Sequence, residues 1–319
     1  MPRYEGYLCD VKGFQLGNAQ DLQGGTGVTV VLAPKGCVGG VDVRGGAPGG
    51  RETDVLRPEN AVDQCHAVVL SGGSAFGLRA FDGVVDYLQE KEIGFDVQIA
   101  KIPIVSGAIL FDLFVGDNKT YPSREMGYQA CLNASFHNKE MGNIGGGSGC
   151  SVGKIFGIQR AMKSGLGQAS MQLGDLVVSA VVCVNAVGDV VDPNCSNEKI
   201  AGLHNGKTRM STVSEIIKGK ALQQLGQNTT LACIATNARL NKSECLKVSQ
   251  MAHDGYARAI HPVHTLSDGD SIFTLASGEL ETSTNLVGVL GAEVIARAIV
   301  NACIESESAY GLLSYQDFE

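Results

Sequence analysis

The sequence has no block of positive charge. It contains 25 lysine and arginine residues against 33 aspartate and glutamate residues, and its formal net charge at pH 7 is −8. Proteins that bind nucleic acid or an anionic membrane surface usually carry a patch or stripe of basic residues. We therefore expect no nucleic-acid partner and no membrane partner, and the composition favours chemistry on a small molecule or a peptide.

The sequence also lacks a long apolar segment. None follows the first six residues, and no run of 18 apolar residues occurs, although a secretory signal or a transmembrane helix needs such a segment. None of the ten cysteines lies in a C-x-x-C spacing, so neither a zinc ribbon nor a redox dithiol is indicated. We expect a soluble cytoplasmic protein with reduced thiols and with no metal or cofactor.

Apolar residues and glycine are abundant instead. The hydrophobic fraction is 44 %, and 42 of the 319 residues are glycine. This hydrophobic content is sufficient for a large buried core in a chain of this length. The glycines cluster in short loops, where they let backbone approach backbone or a ligand closely. We expect one domain over residues 1–319.

Apolar patterns predict both strands and helices. Strands over 26–33 and 37–43 are expected to form a hairpin through 34–36, and residues 176–190 are expected to form one long central strand. A helix is expected to begin after Ser74, its N-cap, and to run to 88. The other expected elements are strands at 67–70 and 271–276 and helices at 241–260 and 286–303. Both kinds of element in each half indicate a layered fold of helices and sheets.

Two segments fit neither pattern. Residues 44–54 combine glycine with charge, and they form either a surface loop or a loop that lines a site. Residues 192–227 are polar with little apolar periodicity. We expect them to form a loosely held segment with a short helix.

Three familiar motifs are incomplete. A nucleophile elbow would need glycine where Phe76 stands. The glycine-rich loop at 145–154 lacks two residues of the phosphate-binding pattern, which has glycine and a hydroxyl residue where this chain has Ser148 and Ile155. An EF-hand would need an oxygen ligand where Ile272 stands. Nucleotide and calcium binding are therefore unsupported, and Lys154 is either solvated or part of a different site.

Asn228 and Thr229 precede a strand-like run at 231–236. Alone, they fit a turn that enters a strand. A threonine hydroxyl becomes a nucleophile when its own α-amine takes the proton, and an α-amine, with a pKa of about 7.7 to 8.0, is available in its neutral form near pH 7 to a much larger extent than a lysine. An internal threonine gains this amine only if the preceding bond is cut. Asp268 and Asp270 form either a turn or a pair of carboxylates that hold such an amine in a cleft.

Six motifs in this order resemble the self-cleaving N-terminal-nucleophile amidases of the DmpA-like aminopeptidase superfamily, peptidase family S58. The resemblance is strongest to the nylon-oligomer branch, the 6-aminohexanoate-oligomer endohydrolases. It implies an αββα sandwich of the DmpA/ornithine-acetyltransferase type, an amide-hydrolase activity and a homo-oligomer, with a tetramer of αβ units as one form. The motifs span nearly the whole chain and lie at 45–49 with 51–54, 71–78, 149–154, 184–189, 228–230 and 268–270.

The resemblance also implies roles for single residues. Thr229 matches the nucleophile, and Asp268 and Asp270 match the acidic pair near its amine. Lys154 and Asn185 match polar groups of the same pocket, where a lysine charge and an amide donor stabilise a developing oxyanion.

The resemblance further implies cleavage of the chain. Attack by Thr229 on the carbonyl of Asn228 would leave an α chain of residues 1–228 and a β chain of residues 229–319. A shared sheet would hold the two chains together. The implied substrate is a small peptide or an oligoamide.

Other functions remain open at this stage. An acyltransferase of the ornithine acetyltransferase type would share the fold and a threonine nucleophile, and a non-catalytic binding protein would share the fold alone. A further alternative is a Cys150 nucleophile assisted by His253, His261 or His264. His261 and His264 together also suggest a metal site, although no third ligand is evident.

Overall fold

The structure is a computed structural model that describes residues 1–219 and 228–319. Its helices are α1 (Ala80–Glu90), α2 (Arg124–Leu132), α3 (Thr212–Ile217), α4 (Lys242–Ala259) and α5 (Thr284–Ile304). Its strands are β1 (Gln15–Asp21), β2 (Thr26–Val43), β3 (Gly50–Arg51), β4 (Cys65–Ser71), β5 (Phe95–Asp96), β6 (Lys101–Ile102), β7 (Val105–Ile109), β8 (Ser151–Val152), β9 (Met162–Lys163), β10 (Leu166–Leu173), β11 (Leu176–Cys183), β12 (Asp189–Asp192), β13 (Glu198–Ala201), β14 (Leu231–Ala238), β15 (Ile260–His261) and β16 (Ser271–Leu280).

Strand β2 joins two packed sheets. Its first half pairs with β4 over 28–32, and its second half pairs with β16 over 38–43. One sheet contains β1, β4, β7 and β3, and the other has the order β10-β11-β14-β16. Because both sheets contain part of β2, they form one continuous path of strands folded into two layers.

The expected hairpin at 34–36 is wrong. β2 continues through this segment as a single strand of 18 residues. Its pairing with β4 shifts register between Leu32 and Cys37. Pro34 has no N–H to donate to a ladder, and Gly36 has a φ of +74°, so the interruption forms an irregularity at which β2 passes from one sheet to the other.

Alternate residues of β14 show how the layers are packed. Ala232 and Ile234 lie in a core with apolar residues of α4 and α5. Leu231 and Cys233 lie in a second core, between the two sheets. A third core packs residues of α1 and α2 against the other sheet. The layers are therefore helix, sheet, sheet and helix, which confirms the expected αββα sandwich.

Two other expected elements differ from the structure. The helix after Ser74 begins as a 3₁₀ helix, Ser74–Arg79, and α1 follows it. Ser74 provides no side-chain cap. The long strand expected at 176–190 ends at Cys183, because residues 184–188 leave the sheet while staying buried. A run of apolar residues indicates that a segment is buried, but it does not show that the segment is a strand. Residues 184–188 form a buried loop.

The remaining elements follow the sequence pattern. Helices α4 and α5 and strand β16 lie where they were expected. The segment 192–227 contains β13 and α3, and its last residues, 220–227, lie outside the described part of the chain.

Helix α5 is long and apolar enough to cross a membrane by length and composition, but its most apolar window is 72 % buried inside the protein. It packs against β10, β11 and α4, which is the environment of a core helix.

Candidate active site

The topology brings the two sequence motifs together. Strands β14 and β16 are parallel neighbours, with Leu231 paired to Ser271. Parallel strands that start in register have their preceding loops at the same edge of the sheet. Residues 228–230 and 268–270 therefore lie side by side.

Thr229 is held at both its nitrogen and its hydroxyl. Its N–H donates to the carbonyl oxygen of Asn185 at 2.8 Å, and its Oγ1 accepts from the backbone N–H of Gly269 at 3.0 Å. Only 3 % of its surface is exposed. The chain is continuous through Asn228 and Thr229, so this nitrogen is still a peptide nitrogen.

Gly269 is required by this contact. A Cβ on Gly269 would lie 2.7 Å from Thr229 Oγ1 and 2.9 Å from the carbonyl oxygen of Ala47. Both distances are shorter than ordinary contacts. Glycine therefore allows the backbone of the 268–270 loop to approach the hydroxyl closely.

Asp268 has one occupied oxygen and one free oxygen. Its Oδ2 accepts from Thr265 N at 2.9 Å and from Thr265 Oγ1 at 2.5 Å. Its Oδ1 is buried and has no hydrogen-bond partner among the described residues. Burial, together with the charge of Asp270, raises the pKa of the Asp268 carboxyl above its ordinary value. Asp268 can therefore accept or carry a proton.

Both oxygens of Asp270 are occupied. Oδ1 accepts from Thr230 N at 2.7 Å. Oδ2 accepts from the backbone N–H of His264 at 3.1 Å and lies 2.8 Å from His264 Nδ1. The carboxylate thus connects the residue after Thr229 to the 264–268 loop.

Lys154 and Asn185 form a buried pair beside Thr229. Lys154 Nζ donates to Asn185 Oδ1 at 2.7 Å and to the Asn185 carbonyl oxygen at 3.1 Å. That carbonyl oxygen also accepts from Thr229 N. Burial lowers the pKa of Lys154 to about 7, while Cys150 and the buried aspartates nearby partly oppose the shift.

The amide donor of Asn185 is already in use. Asn185 Nδ2 donates to the carbonyl oxygen of Phe111 at 2.8 Å, and its Oδ1 also accepts from Ser151 N at 3.1 Å. In this arrangement Asn185 positions Lys154 and Thr229. The expected amide donation to an oxyanion would first require the bond to Phe111 to break.

The sequence left open whether residues 44–54 form a surface loop or line a site, and the structure places part of them at the site. Gly46 N donates to Thr265 O at 3.1 Å, and Ala47 N donates to Asp268 O at 2.8 Å. These bonds hold the 265–270 loop in place from the side opposite β14.

The alternative nucleophile is poorly placed. Cys150 is fully buried, and its Sγ contacts the carbonyl oxygen of Gly146 at 3.3 Å. Burial raises the pKa of its thiol to about 12, so the reactive thiolate is disfavoured. His261 contacts the carbonyl oxygen of Ala257 instead. Within residues 1–219 and 228–319, no group of three or more His, Cys, Asp or Glu residues could hold a metal ion.

Sequence reasoning missed three contributors to the site. The N–H of Gly269 was not considered, and His264 was considered only as a base for Cys150 or as a metal ligand. Asp112 was not singled out. It is buried, accepts from Thr26 Oγ1 and Gly73 N at 2.7 Å each, and burial raises its pKa to about 6. Of these three, only Gly269 could have been noticed in the sequence, because it lies between two aspartates.

Comparisons with known proteins identify the family of this chain. The model of the family described as peptidase family S58 matches residues 7–314. An uncharacterized aminopeptidase of Mycobacterium leprae is 37 % identical over 97 % of this chain and 92 % of its own length. A 6-aminohexanoate-oligomer endohydrolase of Paenarthrobacter ureafaciens is 32 % identical over 86 % of this chain and 76 % of its own length.

Two solved structures share the fold. A Burkholderia beta-aminopeptidase has a TM-score of 0.69 at 20 % identity, covering 98 % of this chain and 91 % of its own. The L-aminopeptidase D-Ala-esterase/amidase of Ochrobactrum anthropi, described as a variant of the Ntn hydrolase fold, has a TM-score of 0.71 at 16 % identity, covering 96 % and 88 %. The chain therefore belongs to peptidase family S58 and is an amide hydrolase with the Ntn hydrolase fold.

Proposed function

We propose that this amide hydrolase cuts its own Asn228–Thr229 bond and then uses the freed Thr229 as its nucleophile. The observation that carries the proposal is the hydrogen bond from Gly269 N to Thr229 Oγ1. Because the hydroxyl oxygen accepts this bond, its own proton remains free to move to a base. The same N–H stabilises the negative charge that develops on the oxygen.

The first reaction is maturation. Thr229 Oγ1 attacks the carbonyl carbon of Asn228 and gives its proton to Asp268, whose Oδ1 has no partner among the described residues. The C–N bond then breaks, and the Thr229 nitrogen takes up the proton. Water hydrolyses the resulting ester, which leaves a carboxylate on Asn228 and a free amine on Thr229.

The second reaction is turnover. The new α-amine, with an ordinary pKa of about 7.7 to 8.0, takes the proton of its own hydroxyl. Thr229 Oγ1 attacks the substrate amide, the leaving amine takes that proton, and water hydrolyses the acyl ester. The Asn185 carbonyl oxygen, which already accepts from Thr229 N, keeps the amine oriented throughout.

Lys154 supplies positive charge to this site. It is buried beside Asn185, where an ammonium group stabilises an oxyanion more strongly than it would in water. Its pKa of about 7 implies that the charged form becomes less populated as the pH rises above neutrality. We therefore assign Lys154 to oxyanion stabilisation and Asn185 to positioning.

The fold supports retention of both fragments after cleavage. β14, the first strand of the 229–319 fragment, pairs with β11 of the other fragment. β16 pairs with β2, which also belongs to the 1–228 fragment. Hydrogen-bond ladders on both sides would hold the fragments together.

The substrate class follows from the relatives. Their names specify aminopeptidases and 6-aminohexanoate-oligomer endohydrolases. Both names describe enzymes that cut amide bonds, so we propose a small peptide or an oligoamide as substrate. Acyl transfer, the alternative reaction, finds no specific support in the site.

We also propose a cytoplasmic location and a homo-oligomeric assembly. Each of the ten cysteines is free, which supports a reducing compartment such as the cytoplasm. A homo-oligomer is implied by the resemblance to the DmpA-like superfamily.

The test compares Thr229→Ala with Thr229→Ser on a panel of aminoacyl anilides, β-peptides and aminohexanoate oligomers. Thr229→Ala should abolish turnover, while Thr229→Ser keeps a hydroxyl and should retain part of it. Turnover by Thr229→Ala would place the nucleophile elsewhere. A rate that depends on an added amine acceptor would indicate acyl transfer instead of hydrolysis.

A further inference from the structure

We propose that His264 is held as a doubly protonated imidazolium against Asp270, that His253 enforces this state, and that the pair positions the backbone at Thr229. The role in catalysis rests on the proposed function, because it assumes that Thr229 reacts. The protonation state itself follows from hydrogen-bond geometry and can be tested separately.

His253, which lies on α4, is a neutral histidine. Its Nε2 is 3.1 Å from the carbonyl oxygen of Asp42. A carbonyl oxygen only accepts, so Nε2 carries a proton. The side chain is fully buried, and burial lowers the pKa of His253 to about 3. His253 is therefore neutral, and its Nδ1 carries a lone pair.

The rings of His253 and His264 are in hydrogen-bond contact. His253 Nδ1 lies 3.2 Å from His264 Nε2. Because Nδ1 can only accept, His264 Nε2 must donate and carries a proton. The proton on His264 Nε2 is thus fixed by a residue on a different element.

Asp270 contacts the other ring nitrogen of His264. Its Oδ2 lies 2.8 Å from His264 Nδ1, and two lone pairs cannot face each other at this distance. A proton must lie between them. Oδ2 also accepts from the backbone N–H of His264, and Oδ1 accepts from Thr230 N. Donors aimed at both oxygens favour the carboxylate form, which places the proton on His264.

The surroundings of His264 fit a cation. The ring of Tyr256 lies 5.8 Å from the His264 ring, within the distance at which an aromatic ring attracts a positive charge. Asp268 lies on the same loop. Beyond His253, Arg44, which follows the last residue of β2, is paired with Asp42 at 2.9 Å, so its positive charge is already balanced.

The backbone provides an independent indication that His264 is held by its contacts. Its φ is +57°, a left-handed conformation that is strained for a residue with a Cβ. Such a conformation persists when surrounding contacts determine it. Here the contacts are the ring bonds to His253 and Asp270.

The consequence for turnover follows from the contacts of Asp270. If His264 loses its ring, Asp270 Oδ2 loses its ring donor, and the carboxylate holds Thr230 N less firmly through Oδ1. Because Thr230 follows the nucleophile, kcat should fall while KM changes little.

The variants for this test are His264→Asn and His264→Gly, because both residues tolerate the left-handed backbone. Each should lower kcat by about 10-fold with KM little changed, a loss smaller than the roughly 10²-fold that a 1 Å displacement of the reacting atoms can cost. His253→Gln should give a smaller loss of kcat and serves if the His264 variants fold poorly. His137→Gln, an exposed histidine, is the matched control. An unchanged kcat in the folded variants would overturn the positioning role.

A second measurement does not depend on activity. In the full Thr229→Ala chain, ¹⁵N NMR of the imidazoles at pH 7 should show one histidine protonated on both nitrogens, and this signal should disappear in Thr229→Ala with His264→Asn. Only neutral imidazoles, or a signal that survives the second substitution, would refute the imidazolium. If the wild-type chain never cuts itself, the proposed function fails while this measurement still decides the state of His264.

Discussion

Asp268 and Asp270 flank the same glycine at the same edge of the sheet, and both are almost fully buried. They differ in how their oxygens are used. Asp270 has both oxygens occupied by Thr230 and His264, whereas Asp268 keeps Oδ1 without a partner in the described structure. The pair therefore combines a carboxyl that can exchange a proton with a carboxylate that fixes the backbone. Two aspartates one residue apart therefore have different roles, one in proton transfer and one in positioning.

The sharpest test of this difference is Asp268→Asn. The amide can still accept from Thr265, but it cannot take a proton from Thr229. General acid–base contributions are typically about 10² to 10⁴-fold, so self-cleavage should slow by at least about 10²-fold. The rate of self-cleavage, followed on denaturing gels, would measure the effect. A loss below about 3-fold would remove Asp268 from proton transfer.

Gly269→Ala tests the close approach between the two aspartates. The added Cβ would meet Thr229 Oγ1 at 2.7 Å and displace either the hydroxyl or the loop. A displacement of about 1 Å near the reacting atoms can cost about 10²-fold. Self-cleavage should slow by a comparable factor. Gly291→Ala, whose Cβ would first meet Ile234 Cδ1 at 3.3 Å, is the control and should cut normally.

Asp270→Asn should have a smaller effect on rate and a larger one on stability. The amide keeps an acceptor for Thr230 N but loses the charge opposite His264, so the backbone beside Thr229 is held less firmly. We expect kcat to fall by about 10-fold, less than the roughly 10²-fold that a 1 Å displacement of the reacting atoms can cost. Loss of one partner from a buried pair costs about 3 kcal/mol. Urea unfolding should show Asp270→Asn to be less stable than Asp268→Asn. The reverse order would contradict the assigned roles.

Lys154 gives a predicted slope of stability against pH. Its pKa is about 7 in the folded protein and near 10.5 when unperturbed. Between these values the unfolded state binds one more proton, so the free energy of unfolding rises with pH by at most about 1.4 kcal/mol per unit. Below pH 7 the slope disappears, and the charged, buried lysine destabilises the fold most. Urea titrations of the Thr229→Ala chain from pH 7 to 10 should lose this slope when Lys154→Met is added, and an unchanged slope would refute the shift.

The sequence was sufficient to predict the residues that meet at the edge of the sheet. Thr229, Asp268, Asp270, Lys154 and Asn185 lie in motifs whose order identifies the family, and parallel pairing of the strands after two of those motifs brings them together. Family membership and the layered fold therefore followed from local patterns.

The uses of those residues could not be predicted. His264 contacts Asp270, and Asn185 Nδ2 donates to the carbonyl oxygen of Phe111. Both contacts join loops that meet only in the folded protein.

The wrong prediction of a hairpin at 34–36 has a related cause. Proline and glycine between two apolar runs are compatible with an irregularity within one strand and with a turn between two strands. Which of the two forms depends on the strands that pair with the segment.

The central claim is that the bond before Thr229 is cut by Thr229 itself. Intact-mass analysis of the purified chain over time, with N-terminal sequencing of the products, tests it most directly. The account predicts two fragments, 1–228 and 229–319, the second beginning with threonine, and a Thr229→Ala chain that stays whole. An uncut wild-type chain that still hydrolyses amides, or fragments that meet at another bond, would contradict it.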